Sequence, residues 1–414
     1  MPTLSSRLRS LLPDPGPARA LTFASFPSSI GRGLFITASV VFFTKSVGLS
    51  PLQVGTGLTI AACIGLLAGV PMGHLADRIG PRTMTIVFGL VVAGVINLYF
   101  LVSTWPLFVA VASLVSVGQS AFQASRGALI AGSVPSEQRV RTRAYLRVVT
   151  NVGWMVGSPL AGLALFFDTD AAYASVIAAT GAVTALGALL YLRVPPVTPQ
   201  HASKRESISA ALRDRPYVAL TVLNAVLTIH FGITNVAIPL WVLERTEAPA
   251  WVLSALFVVN TIMIVTLQVR TSRGSATVPG AARAQRLGGL LLAGACILYA
   301  LSAGWPAWAA AAILVAGAAV HAFGELHMAA GGWGLSYELA PDHAQGQYQG
   351  LYNTGFQVAD IVAPAVLSVA VIGLGWPGWV LMAACFATAG LLVPAAARWA
   401  VRTRPVTSEP VPTP

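Results

Sequence analysis

Charge is what this sequence has least of. Only 9% of its 414 residues are Asp, Glu, Lys or Arg, and just 14 are acidic. A water-soluble domain carries about 25% charged residues. So few ionised groups cannot cover a soluble globule of this length, which excludes a soluble enzyme and a disordered chain alike. The formal charge of +11 accompanies 56% hydrophobic residues, so no nucleic-acid partner is expected. Cysteine is nearly missing as well. Cys63, Cys296 and Cys385 each sit inside an apolar run, and their separation fits neither structural disulfides nor a metal site. No nucleophile–base spacing is present, and Gly331-Gly332 is followed by no Gly-Lys phosphate loop. The chain is therefore expected to be no enzyme and to need no cofactor or metal.

Long apolar runs are what it has in excess. A membrane-crossing helix needs about 20 mostly apolar residues. Twelve stretches qualify, roughly at 20–44, 52–72, 83–103, 106–131, 146–167, 172–192, 217–243, 250–269, 287–303, 307–330, 349–372 and 379–397. Only helices and closed barrels satisfy the backbone within lipid. Barrel strands are shorter and alternate, so the expected fold is an all-α membrane protein with twelve transmembrane helices. Arg7, Arg9 and a Pro-rich stretch lead into a first run too long for a signal-peptide core, and no cleavable leader is expected.

Lys and Arg orient the chain. With the N-terminus in the cytoplasm, every basic residue falls inside except Lys45 and Arg245, outside, and Arg32 and Arg126, within runs. Asp168, Asp170, Glu244 and Glu247 fall outside. The expected location is the cytoplasmic membrane, multi-pass, with both termini cytoplasmic. The basic excess is thereby a topology signal. Lys45 and Lys204 are the only lysines among abundant Arg, Ala and Pro, a usage that suggests a GC-rich bacterial source.

The longest polar connection divides the runs six and six. The expected organisation is an N-terminal bundle (1–193), a cytoplasmic central loop (194–216) and a C-terminal bundle (217–414). Within the loop, 205–215 is expected to form a short amphipathic helix. The halves also match in register. Ser50-Pro51 corresponds to Ala248-Pro249 at an offset of 198, and Val134-Pro135-Ser136 to Ala340-Pro341-Asp342 at 206. Parallel repeats of this kind place a site between the halves near the bilayer midplane.

Ionisable groups at membrane depth cost several kcal/mol, which makes them functional candidates. Four runs carry polar residues at single-face spacing: Ser25, Ser28, Arg32 and Ser39; Gln119, Gln123 and Arg126; His321 and Glu325; and Asn353, Gln357 and Asp360. Under the repeat offsets Gln119 corresponds to Glu325 and Arg32 to His230. Arg32 needs a counter-charge or an anionic ligand. Glu325 and Asp360 are the acids within the runs, so an ion-pair network with Arg32 is expected, in a functional or a purely structural role. A carboxyl taken out of water can load and release protons near neutral pH, which makes Glu325 the leading proton carrier, with His321 and Asp360 as further candidates. Candidate substrate contacts are Arg32, Gln119, Gln123, Asn151, His230, Asn235, His321, Glu325 and Gln357. Arg126 is expected at a gate near the end of the fourth run, His327 in packing, and Asn97, Asn260 and Gln268 as interhelical glue.

Between the second and third runs stands Gly73-His74-Leu75-Ala76-Asp77-Arg78-Ile79-Gly80-Pro81-Arg82. Here the sequence resembles the major facilitator superfamily, whose signature in this loop is G-x-L-a-D-r-x-G-r-[kr]; Pro81 departs from the usual basic residue. The resemblance implies secondary active transport by alternating access, with helices 1, 4, 7 and 10 lining a central cavity. It also implies an interdomain latch at Gly73, Asp77, Arg78, Gly80 and Arg82, joined by Arg126. Asp77 would engage the cytoplasmic end of helix 11, and Gly73 would permit close packing. Gly153 to Gly162 is similar to the Gly/Pro element of proton-driven exporters, although such a helix also serves plain close packing. The expected function is proton-coupled efflux of drug-like or natural-product compounds, driven by the proton gradient, by a monomer. The alternatives are proton-coupled uptake of a polar or anionic nutrient, and a membrane sensor or complex subunit that does not transport.

Overall fold

The computed structural model describes residues 13–197 and 209–404. Within them twelve helices are long and apolar enough to cross a membrane: α1 (Pro17–Ser46), α2 (Pro51–Ile79), α3 (Pro81–Leu101), α4 (Trp105–Ser133), α5 (Ser136–Phe167), α6 (Asp170–Arg193), α7 (Arg215–Arg245), α8 (Trp251–Thr271), α9 (Val278–Leu301), α10 (Ala307–Glu338), α11 (Asp342–Val371) and α12 (Trp376–Arg402). No strand occurs among the described residues.

Proline and small polar residues set the boundaries. Pro51, Pro81, Pro106, Pro216, Pro279 and Pro377 stand in the first turns of their helices, where a missing N–H costs nothing. Ser50 opens α2 with a capping box: its hydroxyl accepts from the Gln53 amide at 3.2 Å, and its own amide donates to the Gln53 side chain at 2.9 Å. Asp168 forms the tight turn from α5 to α6 at φ 47°. This left-handed conformation suits Asp better than bulkier residues.

The helices outrun the apolar stretches that announce them. α5 starts at Ser136 rather than near 146, and α10 continues to Glu338 rather than 330. Polar first and last turns keep helical hydrogen bonding while leaving the hydrocarbon. Arg143 and Arg147, which charge sorting places in a cytoplasmic loop, therefore stand inside α5. Of the amphipathic helix expected at 205–215, residues 205–208 lie outside the described set, as do Lys204, Arg7 and Arg9. The remainder forms a single turn, Ala210–Arg213.

The first six helices pack chiefly on one another, α1 against α5 and α6 and α2 against α4, and the last six do likewise. Each set has an apolar core of its own, and a further apolar cluster joins Val70, Val140 and Ala144 of the first to Tyr217, Leu339 and Tyr348 of the second. Phe43, Tyr99 and Phe108 meet edge to face in the first, and Trp379 meets Trp241 and Tyr299 in the second. Contact between the sets runs through α2 and α4 against α11, and α5 against α8 and α10. α7 is discontinuous: its α-helix stops at Thr228, resumes at His230–Gly232, and passes through a π-helical stretch at Ile233–Ala237. Such breaks at membrane depth concentrate at functional sites.

Candidate functional site

The seam between the two sets of helices is tied at successive depths. At the end bearing residues 73–82, a Cβ on Gly73 would stand 2.1 Å from the Gly346 carbonyl, and one on Gly350 2.2 Å from the Gly69 carbonyl. α2 and α11 thus touch backbone to backbone. That approach puts both Asp77 carboxylate oxygens on the start of α11, accepting from the Gly346 and Gln347 amides at 2.7 and 2.9 Å. A carboxylate is favoured on a helix N-terminus. Arg82 donates to the Leu192 carbonyl, Arg78 is exposed, and Gly80 turns the chain at φ 118°.

One turn deeper, Arg143 of α5 donates to the Tyr337 hydroxyl of α10 at 2.8 Å and to Gln349 of α11 at 3.2 Å. The next turn carries Arg147, which is ion-paired with Glu325 of α10. The other Glu325 oxygen accepts from Asn260 of α8 at 2.9 Å. At about 1.5 Å per residue, Glu325 lies roughly 20 Å inside its helix end, near mid-depth. Ser120 of α4 and Gln357 of α11 close this layer at 2.6 Å. The Asp77, Arg143, Arg147 and Gln357 links each join a helix of the first six to one of the last six, whereas the Asn260 bond lies within the last six.

Around Glu325 the buried polar groups converge. His230, at the break in α7, faces His321 at 3.0 Å between Nδ1 and Nε2. His230, His321 and Glu325 bring ligand-capable atoms within 4.8 Å of one another. They are the described residues that could hold a metal ion. Both Glu325 oxygens are already engaged by Arg147 and Asn260, however, so the carboxylate is charge-balanced and hydrogen-bonded as arranged. His230 Nε2 and His321 Nδ1 are buried without hydrogen-bond partners.

A second polar region lies inside the first six helices. A cavity of about 140 Å³ is lined by Arg32 and Ser28 of α1, Gln119, Gln123 and Arg126 of α4, and residues of α3, α5 and α6. Arg32 keeps accessible surface there, with its guanidinium 5.7 Å from the Trp154 ring centroid. Arg126 sits 5.6 Å from the Phe122 ring centroid. Asp360 of α11 and Arg126 are the charges acting on Arg32.

Several expectations change on this geometry. Glu325 pairs with Arg147, not Arg32, because α10 meets α5 rather than α1. Asp360 is accessible rather than buried, whereas Asp77 is itself buried. Arg126 stands with Arg32 on the cavity, away from the 73–82 loop, because α4 continues two turns past it to Ser133. Asn235 is exposed and bonded to its own helix at Phe231, so it does not join His230. Asn151 is half-buried on α5, and Ser39 is buried on α1. Gly153 and Gly157 pack on α1, where a Cβ would meet Ser29 at 2.5 Å and the Ile30 carbonyl at 2.2 Å; Gly162 faces open space. Asn260, expected as packing glue, belongs to the Glu325 cluster, and His327 bonds to the Phe323 carbonyl.

At the opposite end of the bundle Lys45 holds Asp168 at 2.7 Å, and Tyr173 donates to the same carboxylate. The Lys45 ammonium first, then the Tyr173 hydroxyl, keep the Asp168 carboxyl below its ordinary range.

Residues 21–364 match the model of the Major Facilitator Superfamily. An uncharacterized MFS-type transporter, YdeE of Escherichia coli K12, is 28% identical over 145 residues, 35% of this chain and 36% of that protein. A provisionally named sugar efflux transporter of Deinococcus radiodurans is 29% identical over 190 residues, 44% and 48% of the two chains. The matched regions thus span less than half of either relative. Solved structures share the fold, two of them as follows. A bacterial homologue of the iron transporter ferroportin, outward-facing, has a TM-score of 0.72 at 14% identity, covering 93% of this chain and 99% of that one. The transporter FucP, in the outward conformation, has 0.69 at 14% identity, covering 93% and 98%.

Proposed function

The chain belongs to the Major Facilitator Superfamily of membrane transporters, and from that premise we propose that it is a proton-coupled exporter of small amphipathic compounds working by alternating access. The observation that carries this reading is the Arg147–Glu325 pair, a buried ion pair whose two members belong to opposite sets of helices.

With the 73–82 end placed in the cytoplasm by the positive-inside rule, the arrangement described above is closed to the cytoplasm. In it Glu325 is ionised and neutralises Arg147 across the seam. A proton arriving from outside, by way of the imidazoles of His321 and His230, neutralises Glu325 and leaves Arg147 buried without a counter-charge. Such a state is strongly disfavoured, so the seam parts, Arg147 gains water, and the site opens inward. Loss of the proton to the cytoplasm, with substrate bound, restores the pair and the outward-open form. Each cycle therefore moves a proton in and a substrate out. The Deinococcus relative, named for sugar efflux, supports the export direction.

Liposomes carrying the purified protein and a pH-sensitive dye test the coupling. A panel of amphipathic aromatic compounds should evoke proton flux in the unsubstituted protein, and Glu325→Gln should abolish it. Undiminished coupling in that variant would remove Glu325 from the role. Right-side-out vesicles fix the direction: expulsion under an inward proton gradient supports export, accumulation supports uptake.

A further inference from the structure

The cavity within the first six helices has a composition that the proton cycle does not use. None of the residues lining it is acidic, yet two arginines are present, near enough for Arg126 to act on the charge of Arg32. Asp360 is the one acid acting on Arg32. The region thus holds two cations against one carboxylate, and like charges at this depth call for an anion.

The hydrogen-bonding account points the same way. Four of the hydroxyls at the cavity are turned into their own helices: Ser25 donates to Leu21, Ser29 to Ser25, Thr150 to Leu146 and Thr180 to Val176. The strongest donors lining the cavity are the two guanidinium groups, beside the Gln119 and Gln123 amides and the Ser28, Thr184 and Tyr191 hydroxyls. The Arg126 Nε–H is buried without a partner. Each guanidinium rests over an aromatic ring, a cation–π contact that fixes its plane and leaves the N–H edge free. A flat fork of donors matches a carboxylate held bidentately. Phe35, Phe122 and Val115 supply apolar wall. The volume of about 140 Å³ compares with the roughly 150 Å³ that accepts a benzene-sized molecule.

We propose that the substrate is a small organic acid, a monocarboxylate with an aromatic or branched apolar body, whose carboxylate is clamped between Arg32 and Arg126. One added negative charge neutralises the three charged groups, so monoanions are preferred over neutral, cationic or dianionic analogues. This inference rests on the transport reading and narrows it, but its test reads binding, not flux.

The full-length protein in nanodiscs of phosphatidylcholine is titrated with benzoate, benzyl alcohol, benzylammonium and phenyl phosphate by calorimetry. Benzoate should bind saturably, with the alcohol, amine and phosphate each weaker by about tenfold or more. Arg32→Gln and Arg126→Gln should each weaken benzoate roughly tenfold to a hundredfold, the range for losing a charge-assisted hydrogen bond, and leave the alcohol unchanged. Arg126→Lys, which keeps the charge but not the fork, should fall between. Lack of saturable benzoate binding, equal or tighter binding of any analogue, or full affinity in both glutamine variants overturns the proposal. Should an arginine variant fail to fold, the ligand series on the unsubstituted protein decides alone. Binding is read without a proton gradient, so a failed proton assay and a failed binding assay are separate results.

Discussion

Removing Arg147 from the seam tests whether the Glu325 pair holds the two sets of helices together. The Glu325 side chain is 4% exposed and that of Arg147 15%. Deleting one member of such a pair costs about 3–5 kcal/mol, because the survivor stays buried and unpaired. Asn260 still donates to Glu325, which argues for the lower end, about 3 kcal/mol. The pair exists only while α5 meets α10, so this loss falls on the closed arrangement. At about 1.4 kcal/mol per tenfold, the closed-to-open ratio should drop more than a hundredfold. Spin labels at Ile79 and Asp342, both exposed and on facing ends of α2 and α11, read this as a distance distribution in a cysteine-substituted background. Arg147→Met should add a long-distance population, and Arg147→Met with Glu325→Leu should recover the short one, since neither charge is then stranded. If the single variant superimposes on the parent, or the double variant stays as open as the single, the pair does not hold the seam.

The reason Arg147 escapes a sequence reading is physical. Hydropathy marks where a helix enters hydrocarbon, not where it begins. The first turns of α5, from Ser136 through Glu137, Arg139 and Arg141, look like a loop although every residue is helical. A periodicity signal was present: Arg143, Arg147 and Asn151 repeat at i, i+4 and i+8, one face running from the polar end into the apolar run. The stripes on α1 and α4 were legible because 3.6-residue spacing puts Arg32 beside its serines and Arg126 beside its glutamines without knowledge of the neighbours. Which helix faces which is a tertiary fact, and it decides that Glu325 meets Arg147 and not Arg32. The glycines divide along the same line. Gly73 and Gly162 are alike as letters, and only the facing helix makes one indispensable and the other free.

Three further outcomes follow from local geometry. Asp168→Asn keeps a residue that tolerates the left-handed turn while removing the charge held by Lys45. Because the folded carboxyl titrates below its ordinary value, its stabilising contribution is present above about pH 4 and is lost as pH falls through the folded value. Melting curves of the parent should therefore drop more steeply than those of Asp168→Asn below that pH, and parallel curves would sink the argument. In α5, Gly157→Ala should destabilise the α1 contact, where a Cβ meets the Ile30 carbonyl at 2.2 Å, whereas Gly162→Ala, with nothing within 4 Å, should leave melting and transport unchanged; equal effects would refute the packing account. Gly73→Ala carries the reasoning furthest. Its added carbon would stand 2.1 Å from the Gly346 carbonyl and 3.0 Å from the Gln347 amide nitrogen. These are backbone atoms that no side-chain rotation can clear, so α11 must retreat. The retreat also draws the Gly346 and Gln347 amides from Asp77, so the overpacking cost of about 1–3 kcal/mol is joined by a lost helix-terminus contact. Both losses fall on the α2–α11 contact, while the apolar clusters around Phe108 and around Trp379 lie each within a single set. The variant should therefore insert and melt normally within each set, show the longer Ile79–Asp342 distance, and transport slowly; Gly94→Ala on α3, with open space around it, is the control. A Gly73→Ala protein with the parent's distance distribution would mean that α2 and α11 do not need this contact to close.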